Sequence, residues 1–231
     1  MKALGFTAVL FALAALDAHA ATITVSTFDR DTNGWTVGEF FTSAGSAAPT
    51  LVPSGGNPGG FIRTIDMFGF NAYQAPSAFL GDQSAAYGGT LSLDMQVLSN
   101  DDINYPMVVI GDGVTTLQFR TTPPGTTWTS YAVPLLASGG WEIADGTGNP
   151  HTGTAVSEAQ LLAVLTNLAF LKLDADWLTG SDQVDLDNVA LCTSSGCDVN
   201  PPTAVPEPAS LTLLGLGLAG MGTRRCRQRQ G

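Results

Sequence analysis

Asp29, Asp31 and Asn33 alternate along a short segment that closes on Gly34. Oxygen-bearing side chains at alternate positions can converge on one hard cation when a turn wraps them. The same run also fits a turn in which Asp and Asn side chains bond their own backbone, and both readings stay open here. It is not a complete EF-hand loop, because the position of the closing bidentate Glu holds Phe40, with Glu39 one residue early. Asn57-Pro58-Gly59-Gly60 reads as a tight bend. Four Trp and four Tyr side chains could stack on sugar rings, although large aromatics mostly pack in cores. Trp141 follows Gly139-Gly140 on an expected loop and is the candidate ligand contact.

Catalytic patterns are lacking. His151 is the single histidine between residues 21 and 205, which leaves no His-based metal site and no H-E-x-x-H. There is no G-x-S-x-G elbow. Cys192 and Cys197 are close enough to close a small disulfide loop in an oxidising compartment, which would remove a thiol nucleophile. Carboxylates are plentiful, but no pair is singled out for glycoside hydrolysis. The expectation is a protein that is not an enzyme.

Charge narrows the partners. Residues 21–205 carry four basic side chains (Arg30, Arg63, Arg120 and Lys172) against 18 of the chain's 20 carboxylates. Such a surface repels nucleic acid and anionic headgroups, and it suits cations, neutral sugars or basic partners.

The elements that must position these residues read as strands. Short alternating or β-branched runs recur at 22–28, 35–41, 61–66, 90–97, 107–110, 114–120, 127–133, 170–177 and 184–191. Gly-, Pro- and Asn-rich turns separate them, as at Asn33-Gly34, Gly88-Gly89 and Pro123-Pro124-Gly125. The pattern predicts an all-β sandwich or jelly roll. One helix interrupts it, from Glu158 to about Asn167, opened by the capping box Ser157-Glu158-Ala159-Gln160.

Both ends read as targeting segments. Met1-Lys2, the apolar run Ala3–Leu16 and the small residues Ala18 and Ala20 predict a signal peptide over 1–20, cut after Ala20. Residues 193–204 are a Pro- and Ser-containing linker. Val205-Pro206-Glu207-Pro208 follows, then a Leu/Gly-rich apolar helix and Arg224, Arg225, Arg227 and Arg229. Arginines behind an apolar helix form a stop-transfer signal, because they resist translocation. The order of these parts closely resembles the PEP-CTERM sorting signal. The resemblance implies residues 205–231 as a sorting signal recognised by exosortase, a membrane protease-transpeptidase, with membrane contact through the tail before processing. It implies export to the cell envelope, surface or extracellular matrix.

A second resemblance covers roughly residues 22–192. Phe28–Trp35, Gly55–Gly60, Phe79-Leu80-Gly81-Asp82, Tyr87-Gly88-Gly89, Leu91–Asp94 and Leu186-Asp187-Asn188-Val189 follow one another in an order that resembles the laminin B (laminin IV) domain. That family implies a jelly roll over 21–192, related to carbohydrate-binding modules. It also implies one structural Ca²⁺ where the first and last strands meet, held by Asp29, Asp31 and Asp187, with Asp185 as a further candidate. Two functions follow as expectations: a structural or adhesive envelope protein, or a carbohydrate-binding module that retains exopolysaccharide.

Overall fold

The stretch Thr90–Val97 turns Leu91, Leu93, Met95 and Val97 inward and alternates them with Thr90, Ser92, Asp94 and Gln96. A period of two builds a strand with one face in the core. The same rule recurs along the computed structural model, which describes residues 24–101, 105–144 and 153–196. The chain divides into two units, Met1–Cys197 and Asp198–Gly231, and all described residues belong to the first. The expected signal peptide, sorting motif and arginine cluster lie outside the described residues.

The strands are β1 (Thr24–Ser26), β2 (Thr36–Glu39), β3 (Thr50–Gly56), β4 (Gly59–Ile65), β5 (Asn71–Gln74), β6 (Thr90–Val97) and β7 (Pro106–Gly111). Then come β8 (Thr116–Arg120), β9 (Thr129–Pro134), β10 (Trp141–Ala144), β11 (Gly153–Ala155), helix α1 (Glu158–Thr166), β12 (Phe170–Asp174) and β13 (Gln183–Cys192). They form two antiparallel sheets. One is ordered β3-β4-β13-β6-β9, with β1 also on β13; the other is β11-β10-β8-β7-β12-β5-β2. This is the expected jelly-roll sandwich.

All nine expected strands are present, and β3, β5, β10 and β11 add to them. β3 and β11 were hard to read for a physical reason. β3 is an edge strand, where Pro53 is tolerated because no neighbour needs its missing N–H. β11 is an edge of three exposed residues with no inward face to pattern.

The core lies between the sheets and includes Phe28, Trp35, Phe79, Leu93, Met107, Trp141 and Trp177. Tyr73 crosses it: its hydroxyl donates to the carbonyls of Val184 (2.7 Å) and Ile62 (3.2 Å) in the opposite sheet. α1 forms where the capping box places it. Ser157 accepts from the Gln160 amide, the Gln160 side chain accepts from the Ser157 amide, and Leu161, Val164 and Leu165 are buried.

Candidate functional site

β13 organises one end of the molecule. Its Gln183–Leu186 half pairs with β4, its Val189–Leu191 part pairs with β1, and β6 runs along its other edge. Between the halves Asn188 takes φ 49 and the register shifts. The inward residues therefore change phase, from Val184 and Leu186 to Val189 and Leu191. The β3–β4 hairpin tip enters this gap. Asn57 donates its amide to Asp187 Oδ2 (2.6 Å), Asn188 donates its own amide to Asp187 Oδ1 (2.8 Å), and the Asn188 side chain donates to the Asn57 carbonyl and to Asp94 Oδ2. The Gly60 amide reaches Asp29 Oδ1 at 3.2 Å. A Cβ on Gly56 would stand 2.5 Å from Asp187 Oδ2, so this close approach requires glycine.

Asp29 and Asp187 are thus brought to one hairpin, as the sequence suggested, but Asp31 is not. Asp31 Oδ1 accepts from the amide (2.7 Å) and side chain (2.6 Å) of Asn33, the self-bonded turn. Asp185 is held in a two-pronged ion pair by Arg63 (2.6 and 2.8 Å). A Ca²⁺ takes six to eight oxygens. Here both Asp187 oxygens and one of Asp29 already accept main-chain amides, and no three acidic, His or Cys side chains among the described residues are grouped to hold a metal. As they stand, these residues do not fit the ion. Burial pushes the Asp187 carboxyl up to about 6, helped by the charges of Asp94 and Asp29 and opposed by the two amides.

Trp141 requires a correction. It is 1% exposed, pairs with Phe119 on β8, and donates its indole N–H to the Pro134 carbonyl at 2.7 Å. The Gly139-Gly140 bend ends one residue earlier, and the strand that begins at Trp141 turns its ring into the core. It cannot contact a ligand. Cys192 is disulfide-bonded, and Cys197, its expected partner, lies outside the described residues.

The outer face of the seven-stranded sheet carries a different set of side chains. A groove of about 670 Å³ opens there, lined by Phe41, Thr42, Gln74, Thr116, Phe170 and Lys172 among others. β12 sends Leu171 and Leu173 into the core and Phe170 and Lys172 outward. The Lys172 ammonium donates to the carbonyls of Glu39 (3.0 Å), Phe40 (3.1 Å) and Thr42, which fills all three of its donors and fastens the segment after β2 across the sheet. Burial lowers its pKa. Phe41, 39% exposed, packs edge-on against Phe40, Phe70 and Tyr105 at 5.0, 5.1 and 6.4 Å between ring centres. Of these rings, Tyr105 alone was among the Trp and Tyr side chains that the sequence offered for sugar stacking. The signal was present in Phe170–Asp174, whose alternation puts an aromatic and a lysine on the face opposite two leucines.

Two antiparallel sheets closed over one core by a central last strand define a jelly-roll domain. The family model described as Laminin B (Domain IV) matches residues 72–206, and the chain belongs to that family. The PEP-CTERM protein-sorting motif matches residues 204–228. It marks an exported protein of the cell envelope or surface and a substrate for exosortase processing. The L4b domain of human laminin alpha-2 is similar in structure, with a TM-score of 0.59 at 14% identity over 74% of this chain and 97% of that chain, which shows the fold. A family 11 carbohydrate-binding module of a Clostridium thermocellum cellulosomal cellulase gives a TM-score of 0.46 at 13% identity over 78% of this chain and 99% of that chain. No curated protein matches the sequence. Both matched families are a laminin-like domain and a sorting signal rather than enzyme families.

Proposed function

We propose that the protein is a non-catalytic, structural and adhesive component of the cell envelope or extracellular matrix, and that its jelly roll holds polysaccharide along the groove on the seven-stranded sheet. The groove itself carries this reading. Two rings, Phe41 and Phe170, stand beside the neutral polar Gln74 and Thr116, and the nearby ammonium of Lys172 is saturated by carbonyls. Apolar sugar faces stack on such rings while hydroxyls meet the amide and hydroxyl groups. Among the described residues, the lining includes no carboxylate to serve in an acid–base pair. The acidic balance of the domain favours neutral over anionic polymers.

Affinity electrophoresis through gels containing neutral glucans tests the reading. The protein should be retarded, and Phe41→Ala should weaken retardation by about tenfold, equivalent to about 1.4 kcal/mol. Unaltered mobility in every polysaccharide would remove the carbohydrate from the proposal.

A further inference from the structure

A second concavity, of about 420 Å³, opens at the end of the sandwich where β4 and β12 finish. Phe68, Phe70, Tyr105, Asp66 and Asp176 contribute to its wall, together with the Leu178–Gly180 turn. Phe70 and Tyr105 meet edge-on at 6.0 Å, and Phe70 is 40% exposed. Behind the wall lie two further carboxylates, Asp174 and Asp182, which are 1% and 3% exposed. Each uses one oxygen on the loop between β12 and β13: Asp174 Oδ1 accepts from the Asp176 amide (3.1 Å) and Asp182 Oδ2 from the Trp177 amide (2.6 Å). The other oxygens, Asp174 Oδ2 and Asp182 Oδ1, are buried without a hydrogen-bond partner. A buried unpartnered carboxylate oxygen is destabilising unless the group takes a proton or positive charge reaches it, and burial pushes the pKa of both groups up.

The four carboxylates act on one another. Asp176 feels the charges of Asp66 and Asp182, and Asp174 those of Asp176 and Asp182. The two ion pairs among the described residues, Arg63–Asp185 and Arg120–Glu142, include none of them. No three of these side chains are grouped for a metal ion. The concavity lined by Asp66 and Asp176 is walled by aromatic rings, surroundings that favour an organic ammonium through charge pairing and cation–π contact.

We propose that this pocket binds the ammonium group of an amino-sugar unit in a polysaccharide lying in the groove. Phe41 joins the two places: it lines the groove and packs on Phe70 and Tyr105, which line the pocket. The inference rests on the polysaccharide reading above and narrows it to a polymer that carries free amines.

The test is calorimetric titration of the full chain in mild detergent, at pH 6.5, with three probes: a glucosamine hexamer, its N-acetylated counterpart, and a lysine decapeptide. The glucosamine hexamer should bind about tenfold more tightly than the acetylated one, and raised salt should erase the difference. Asp66→Asn with Asp176→Asn should bring the two hexamers to equal affinity without altering retardation in neutral glucan gels. Phe70→Ala, which removes a ring of the wall and leaves the carboxylates in place, should also reduce the preference. Equal binding of both hexamers by the unaltered protein overturns the amine pocket while leaving the groove standing. Failure of every sugar overturns both. A lysine decapeptide that binds as tightly as the glucosamine hexamer overturns the sugar and assigns the pocket to basic peptides.

Discussion

Asp187 makes the hairpin contact work while carrying a charge in a buried place. Its folded carboxyl titrates near 6, above the ordinary value of 3.8, so the folded chain holds the proton more tightly than the unfolded chain does. Stability from this group should rise as pH falls from about 6 toward 4, and above 6 both states are ionised and the unfavourable burial is fully felt. Asp176, also pushed to about 6 by burial and by Asp66, adds in the same direction. Thermal unfolding should therefore give a higher Tm at pH 5 than at pH 7.5, with a smaller difference in Asp187→Asn. A Tm that falls steadily below pH 7 would contradict this assignment. The same melts with Ca²⁺ and with a chelator should superpose, because the oxygens of Asp187 are taken by amides. A Ca²⁺-dependent rise that disappears in Asp187→Ala would show instead that the ion displaces them.

At the scale of the element, α1 depends on its first turn. The Ser157–Gln160 box satisfies amides that would otherwise lack partners, and Glu158 stands favourably in the first turn of the helix. Ser157→Ala should lower stability by about 1 kcal/mol, read as a shift in the denaturation midpoint at unchanged slope. An unchanged midpoint would mean that packing of Leu161, Val164 and Leu165 alone holds the helix. β13 illustrates another element-scale constraint. Its bulge at Asn188 frees the site that the Asn57 hairpin fills, so strand irregularity and hairpin docking are one feature.

For the whole molecule, the sorting motif belongs to residues 204–228 and the proposed ligand contact to the sandwich. Replacing Pro206, Glu207 and Pro208 by Ala should leave the tail uncleaved and the protein membrane-associated, seen as a larger band in the membrane fraction. Normal processing and release of that variant would contradict exosortase recognition through this motif.

The sorting tail, the strand-rich body and the capped helix were legible in the residues because each rests on local order: a motif, a period of two, or a box four residues long. Asp29 and Asp187 were also legible as neighbours, since the first and last strands of the resembled fold adjoin. Whether Asp31 joins them was decided by the turn, and Trp141 was decided by one residue of register, which sends its ring into the core instead of outward. The proposed binding surfaces needed the tertiary structure most. Phe41, Phe70 and Tyr105 come from three separate segments, and Asp66 meets Asp176 only when β4 and β12 end at the same edge of the sandwich. Periodicity assigns a side chain to a face, but only the pairing of the sheets determines which faces and loop ends become neighbours.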